Sequence, residues 1–395
     1  MPAPASSPIH VLCAQFATLA VPDPVAALPG LLDVLAGVTD PRARRGVRHQ
    51  LVTILAVSIC AVTAGARSLV AIAEWAADLP TEIAEALALG TRPPCESTIR
   101  RVLGRVDGDG LDMVLSTWID GRRPADQTRR AIAVDGKTVR GARTPSSTGG
   151  LDGPARHLLA VIDHDTRVVL GQVEVDGKTS EIHRFAPLLD GLELREVVVT
   201  ADALHTQRAH VDYLATRGAH WILTVKGNQP TLRRQLASMP WRAVQVGHRS
   251  VERGHGRREI RTLKVITIAA GIMFPHAAQA IQLVRRRRPL TSGKWHTETV
   301  YAITDLRPHQ GRPEQLAGWI RGHWQIENSL HWVRDVTYAE DLSQVRTGHA
   351  PQVMASLRNF AISAHRLAGA SNIAAALRHC SRNSYRVLAI LKIAR

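Results

Sequence analysis

Cysteine is scarce in this chain and unpaired. Cys13, Cys60, Cys95 and Cys380 are scattered through 395 residues with no CxxC pair. That spacing excludes a zinc ribbon and a disulfide framework and fits a reducing cytoplasm. No Lys or Arg precedes Arg42, so the basic start of a secretory signal peptide is missing. The one candidate membrane segment, Leu51 to Ala66, is uncharged for 16 residues. A span needs about 20, and alanine, serine and threonine dilute this one, so it reads as a buried helix. Lysine is also rare. Six of the 50 basic residues are lysine and the rest are arginine, a skew that points to a GC-rich genome. Internal repeats and long low-complexity tracts are absent.

What is present is an ordinary globular composition, 45% hydrophobic and 21% charged. A chain of this length can bury more than one core, so two or three domains are expected. The 50 basic residues face 34 acidic ones, for a net charge of +16. Such an excess favours a polyanionic partner, because phosphate contacts release condensed counterions. A nucleic-acid partner, no membrane, and a cytoplasmic, nucleoid-associated location follow as expectations.

Residues 1–28, rich in Pro and Ala, read as a loose tail, and 29–122 as a small helical domain. A basic turn from Asp40-Pro41-Arg42 to His49 leads into the buried helix 50–64, and Leu69 to Ala77 forms another. Pro93-Pro94-Cys95-Glu96-Ser97-Thr98 breaks the chain and starts a short helix. In it Ile99, Val102, Leu103 and Val106 form a stripe, while Arg100, Arg101 and Arg105 point elsewhere. This is either a recognition helix for a major groove or a helix with a solvated basic face. Gly121 to Pro124 reads as a linker.

Beyond it the pattern changes. Strand 131–134 ends at Asp135-Gly136-Lys137, and 158–163 with 168–175 resembles a hairpin. Helix 182–189 follows, then strand 197–200 ending at Ala201-Asp202, helix 205–217 and strand 221–225. The order predicts an α/β layer architecture in the ribonuclease-H-like arrangement. Residues 241–305 look like a β-rich insertion, with strands over 265–268, 280–285 and 297–303. Residues 352–394 read as mainly helical.

The stretch His323-Trp324-Gln325-Ile326-Glu327-Asn328-Ser329-Leu330-His331-Trp332 carries the strongest chemical signal. Read as a helix, Trp319, Ile326, Leu330 and Val333 make an apolar stripe. His323, Glu327, His331 and Arg334 line a second face, where a lone acid sits among cations. Asp135 and Asp202 each follow an apolar strand. Carboxylates at neighbouring strand ends approach closely, and a helix can deliver Glu327 from above. Three such acids stay ionised only around a cation. Hard oxygen donors suit Mg²⁺ or Mn²⁺, and two ions about 4 Å apart activate water or a 3′-hydroxyl at a phosphodiester. Either aspartate alone could be a turn or cap residue. Asp335 lies about 12 Å along a regular helix from Glu327, too far to share its cation, and Glu340 and Asp341 need another partner. Zinc on His323 and Glu327 would lack a third ligand.

Four further features can meet DNA or serve structure. Lys226-Gly227-Asn228-Gln229 places a cation and an amide after a strand, or is a plain turn. Glu252-Arg253-Gly254-His255-Gly256-Arg257-Arg258 reads as a glycine-flanked basic loop. Arg285 to Arg288 reads as a solvated loop. Trp221 and Trp295 are base-stacking platforms or core residues.

Val134-Asp135-Gly136-Lys137, Thr200-Ala201-Asp202-Ala203-Leu204-His205-Thr206-Gln207, Lys226-Gly227-Asn228-Gln229, Glu252 to Arg257 and His323-Trp324-Gln325-Ile326-Glu327-Asn328 resemble the motifs of DDE transposases of bacterial insertion sequences, in the ISAs-type branch. Asp40-Pro41-Arg42 onward resembles the small domain associated with them, and the likeness runs over about residues 30–375. It implies Asp135, Asp202 and Glu327 as catalytic and metal-holding acids, the seat of two ions, on a ribonuclease-H-like domain at 129–375. A helical extension at 376–395 would follow. It implies binding to terminal inverted repeats and target DNA, cleavage and strand transfer, and at least a dimer on DNA. The DNA-facing set would be Arg100, Arg101, Arg105, Lys137, Lys226, Asn228, Arg253, His255, Arg257, His323, Asn328, His331 and Arg334. Relatives carry Tyr, Arg and Lys at −7, −4 and +7 from the glutamate, where this chain has Ile320, His323 and Arg334. A decayed copy that only binds DNA and a structure-selective nuclease on the same fold are the alternatives.

Overall fold

The computed structural model of the chain describes residues 29–124, 128–143, 153–175, 181–254, 256–291 and 293–393. The expected tail at 1–28 lies outside them, as does His255. Nine strands form one sheet: β1 (Ala131–Arg143), β2 (Ala155–Asp163), β3 (Val169–Val175), β4 (Val198–Ala201), β5 (His220–Val225), β6 (His248–Gly254), β7 (Arg257–Thr267), β8 (Gln279–Pro289) and β9 (His296–Thr304). Their order is β3-β2-β1-β4-β5-β9-β8-β7-β6. β2 and β3 run antiparallel beside β1, whereas β4 and β5 run parallel to it. This 3-2-1-4-5 arrangement is the ribonuclease-H-like core. Every residue of β4 is buried, as a parallel strand covered on both faces requires.

Four strand readings change. β1 continues past Asp135 to Arg143, because its pairing with β2 runs on from Ile132↔Asp163 to Val139↔Arg156. Asp135 therefore lies within a long strand, at the point where its parallel neighbour β4 stops. The stretch expected as a basic loop at 252–258 is the end of a β6–β7 hairpin, with Gly254 opposite Arg257. Arg285–Arg288 lies in β8, fully paired with β7. Charge hides these strands from a hydrophobic reading. Glu259 is buried and bound by Arg285 Nε of β8 at 2.5 Å and by Arg261 Nη2, two residues along β7 itself, at 2.5 Å, so an arginine supplies its cross-strand partner. Finally, β9 pairs with β5 over Ile222↔Thr304 to Val225↔Tyr301, so the β-rich segment extends the core sheet.

The helices ahead of the sheet are α1 (Leu31–Ala36), α2 (Leu51–Thr63), α3 (Leu69–Ala77), α4 (Thr81–Ala86), α5 (Glu96–Leu103) and α6 (Gly108–Asp120). In α2 every residue but Val52 is buried, which explains its uninterrupted apolar sequence. Among the described residues, no helix is long and apolar enough to cross a membrane. One apolar cluster runs from Leu31 in α1 to Ile393 near the end of the chain, so the leading helices and the sheet share a core. Asp112 of α6 stitches them together. Its Oδ2 accepts from the Gln172 amide of β3 at 2.6 Å, and its Oδ1 from Ser356 Oγ at 2.9 Å.

After the sheet come α10 (Pro313–His323) and α11 (Ala350–Leu367); helices Glu181–Leu189, Arg208–Thr216 and Pro230–Ala237 are α7, α8 and α9. The regular helix expected through Glu327 ends at His323, and π-helical turns cover Ile326–His331 and Val333–Thr337. The wider turns carry Ile326, Leu330, Val333, Arg334 and Tyr338 all into the interior. Arg334, expected to meet phosphate, has no exposed surface. Its Nε donates to Glu340 Oε2 at 2.8 Å and its Nη1 to Gln172 Oε1 at 2.9 Å. Arg358 Nη1 of α11 holds the other oxygen of Glu340 at 2.9 Å. A DNA contact at Arg334 is thereby corrected to a structural role. The partner that Glu340 requires is this pair of arginines.

Burial alone would raise the Glu340 carboxyl, but Arg334 and Arg358 outweigh it and bring it down to about 2. A depressed folded-state value contributes stability that is complete above the unfolded value and fades as pH falls through about 2. Glu340→Gln leaves two buried guanidiniums without their anion, and should lower stability at pH 7 by about 3–5 kcal/mol. Denaturant melts of the full chain should show that gap narrowing as pH falls from 5 toward 2. Equal stability of the two proteins at pH 7 would contradict the assignment.

Candidate active site

The register of β1 and β4 aligns Val134 with Ala201. Asp135 and Asp202 are the next residues along two neighbouring parallel strands, which lie about 4.8 Å apart. Asp202 then caps a single 3-10 turn, its Oδ1 accepting from the Leu204 amide at 2.9 Å. Glu327 reaches the same place from the π-turn. One ligand atom each from Asp135, Glu327 and His331 lie within 4.8 Å of one another. Asp202 is not within that distance of all three. Its charge is nevertheless felt: burial raises the Asp135 carboxyl to about 8, and Glu327 and then Asp202 add to the shift. Glu327 is more than half exposed, and its carboxyl is held below the usual range mainly by His331. The donor chemistry fits a hard divalent cation. It offers carboxylates that repel one another, open on one side, with a buried imidazole behind them.

The helix that leads into this site is seated by a glycine. A Cβ at Gly322 would collide with the His164 ring. His164 Nε2 in turn lies 3.0 Å from Thr200 Oγ1, and His323 Nδ1 lies 3.3 Å from the same hydroxyl. Burial lowers the His323 imidazole to about 4. His323 thus sits neutral against β4, partly covered, and is a strut between α10 and the sheet. Ile320, where relatives place a tyrosine, packs against a second apolar cluster that includes Leu263 and Leu316.

The other expected DNA-facing residues divide by exposure. His331 is 5% exposed and faces the carboxylates, so its expected DNA contact is corrected. Lys137 is 8% exposed and its Nζ pairs with Asp335 Oδ1 at 2.6 Å. That pair also accounts for Asp335, and an open-surface role for Lys137 is corrected likewise. Lys226 is exposed just past the end of β5. Asn228 is exposed too, but its Nδ2 donates to Ala203 O at 2.5 Å and ties the 226–229 turn to the turn after Asp202. Arg253, Arg257 and Asn328 line a cleft of about 870 Å³ with Arg321 and Trp324, and Glu327 is not among its lining residues. The Arg285 guanidinium stacks over Trp324 at 5.0 Å. A second cleft of about 890 Å³ shares Gln325 and Asn328 and reaches Trp332 and Arg366. Arg101 and Arg105 line a third, of about 1070 Å³, with Arg42, Arg45, Arg48 and Arg92. Arg100 is exposed alongside but paired with Glu96 at 2.5 Å. Of the two tryptophans, Trp221 is core, and Trp295 lies about 5 Å from Arg286 and Arg288.

Sequence reasoning missed a buried group beneath the strand ends. Glu181 at the start of α7 binds His157 Nε2 of β2 at 2.5 Å and lies 3.4 Å from His205 Nε2, in the turn after Asp202. Burial would raise this carboxyl, yet the two histidines bring it to about 2. His157 Nδ1 also meets Thr138 Oγ1 at 2.9 Å. The group locks the Asp135 strand to the Asp202 turn. Its only sequence trace is Gly136, which stood out for its place beside Asp135. A Cβ there would lie 2.6 Å from His157 Nε2 and 2.7 Å from Glu181 Cδ.

Comparison with known proteins agrees with this geometry. A family profile described as "Transposase DDE domain" matches residues 126–363. A second, described as "DDE_Tnp_1-associated", matches residues 32–119. The chain is 27% identical to "Putative transposase YncI" of Escherichia coli O157:H7, over 85% of this chain and 87% of that one. It is 26% identical to "H repeat-associated putative transposase YhhI" of Escherichia coli (strain K12), over 85% and 90%. Among solved structures, a piggyBac transposase synaptic complex with hairpin DNA aligns at a TM-score of 0.41 and 9% identity, covering 92% of this chain and 78% of that one.

Gly136→Ala should cost about 1–3 kcal/mol, because the added methyl overpacks the site. Glu181→Ala removes the obstructing carboxyl, so the two costs should not add in the double variant. Denaturant melts of the four proteins measure the coupling. Strict additivity would show that Gly136 and Glu181 do not press on each other.

Proposed function

The chain belongs to the DDE transposases, and from that premise we propose that it binds the terminal inverted repeats of its own element, cuts DNA at the ends and joins the freed 3′-hydroxyl to target DNA. The observation that carries this reading is the β1–β4 register, which sets Asp135 within β1 level with Asp202 just past the end of β4, with Glu327 delivered beside Asp135. Asp135, Asp202 and Glu327 would hold Mg²⁺ or Mn²⁺, two ions in the complete site. When bound, such ions activate the attacking oxygen and stabilise the leaving one. Strand transfer forms one phosphodiester as another breaks, with the leaving 3′-oxygen taking up the proton the attacking hydroxyl gives away.

The protein's own contribution is orientation. β1 and β4 fix the two aspartates by backbone hydrogen bonds, and the buried π-turn fixes Glu327. The cleft lined by Arg253, Arg257 and Asn328 includes the residue next to Glu327 in sequence, and it would suit a DNA strand leading to the site, with Trp324 offering an aromatic face. Residues 29–122 would form the end-binding domain through the arginine-lined cleft, 129–375 the catalytic domain and 376–395 a helical extension. A single triad serves one end. Two ends joined to one target site require at least two protomers, related by a two-fold axis on DNA.

One experiment tests the assignment of roles. End-labelled element DNA is incubated with the full chain and with two variants. Glu327→Gln should bind the ends nearly as well as the wild type and lose cation-dependent cleavage, because shape is kept and a ligating charge is removed. Replacing Arg100, Arg101 and Arg105 by Ala should instead weaken end binding and flatten the slope of log K against log salt. Wild-type cleavage by Glu327→Gln would remove it from the triad. An unchanged salt slope in the arginine variant would remove α5 from the DNA interface.

A further inference from the structure

We infer that His331 supplies a nitrogen ligand to the cation held by Asp135 and Glu327, so that this centre takes a mixed nitrogen–oxygen donor set. The inference rests on the reading above that the two carboxylates hold a cation, and it concerns a residue that neither the triad nor the family motif includes.

His331 is 5% exposed. Its Nδ1 lies 3.7 Å from Asp135 Oδ2 and 3.7 Å from Glu327 Oε2. That is too long for a hydrogen bond, which lies near 2.7–3.2 Å. It fits two atoms sharing one ion: ligands about 2.1–2.2 Å from a common cation stand about 3–3.7 Å apart. The other ring nitrogen, Nε2, is buried without a hydrogen-bond partner among the described residues. Nδ1 thus makes no conventional hydrogen bond to either carboxylate. With the ring proton on Nε2, the Nδ1 lone pair faces the two carboxylates, and an ion shared with them would give that buried lone pair a partner. The π-turn places it for that use. Ile326 and Leu330 are buried on one side, which leaves Glu327 and His331 facing Asp135, and π-turns of this kind occur often at functional sites.

Ligand type sets cation choice. All-oxygen sites suit Mg²⁺, whereas an imidazole favours the transition-metal end of the divalent series. The centre should therefore prefer Mn²⁺ over Mg²⁺ by more than its carboxylates alone would.

The test is pulsed electron paramagnetic resonance of Mn²⁺ bound to the full chain without DNA, at natural abundance and with ¹⁵N-histidine. Asp135→Asn and His331→Ala serve as variants. The expected result is a nitrogen modulation on bound Mn²⁺ that changes with the ¹⁵N label and is lost in His331→Ala. The ratio of Mn²⁺ to Mg²⁺ affinity should fall in the same variant. Bound Mn²⁺ in the wild type with no histidine nitrogen coupling overturns the assignment and leaves the carboxylate site standing; this readout needs no variant to fold. Coupling that persists in a folded His331→Ala also overturns it. Mn²⁺ binding that is absent, or unchanged in Asp135→Asn, would instead sink the carboxylate reading and the His331 assignment with it.

Discussion

Glu340 clasped between Arg334 and Arg358 is the constraint on which the placement of the segment carrying Glu327 depends. All three side chains are buried, and each charge is tolerable only because the others are there. Arg334 comes from the π-turn just after Glu327, Glu340 from the 3-10 turn that follows, and Arg358 from α11. Gln172 of β3 accepts from both Arg334 and Asn359. Asp112 of α6 binds the amide of that same Gln172. A single polar network thus connects the leading helices, the sheet, the glutamate-bearing segment and the C-terminal helices. A carboxylate on a helix end exposed to solvent would swing by several ångströms without such an anchor, and cation geometry tolerates far less.

The second organising element is the sheet. Parallel pairing of β1 and β4 sets the two aspartates by backbone geometry alone. The Glu181–His157–His205 group then ties their flanking elements from below. On the far side, β9 adds to β5 and carries the charged strands β6, β7 and β8 as an extension of the same sheet. Arg321 of α10 pairs with Glu252 of β6, and Arg285 stacks over Trp324. The arginine-rich strands therefore form one wall of the cleft that Arg321, Trp324 and Asn328 line from the other side.

The core strands and the buried α2 helix were legible because periodicity and β-branched content report burial directly. Asp135 and Asp202 stood out as acids after apolar strands, and Glu327 as an acid among cations. What was hidden had physical reasons. β6 and the basic run of β8 satisfy their cross-strand contacts with Arg–Glu pairs, so they carry no apolar alternation. The π-turns have no signature in spacing, and a 3.6-residue period through His323 and Arg334 assigned both to an outward face. Arg334 read as a phosphate ligand because its partners, Glu340 and Arg358, are close only in space. Glu181 gave no signal, since a single buried acid is recognisable only once its histidines are beside it.

The central claim is that Asp135, Asp202 and Glu327 form one cation-holding centre at the level where β4 stops beside β1. Anomalous diffraction at the manganese edge, from crystals of the full chain grown with Mn²⁺, tests it most directly. The account predicts an anomalous peak in contact with the carboxylates of both Asp135 and Glu327. Peaks confined to other surface acids, with these carboxylates contacting only protein and water, would contradict it.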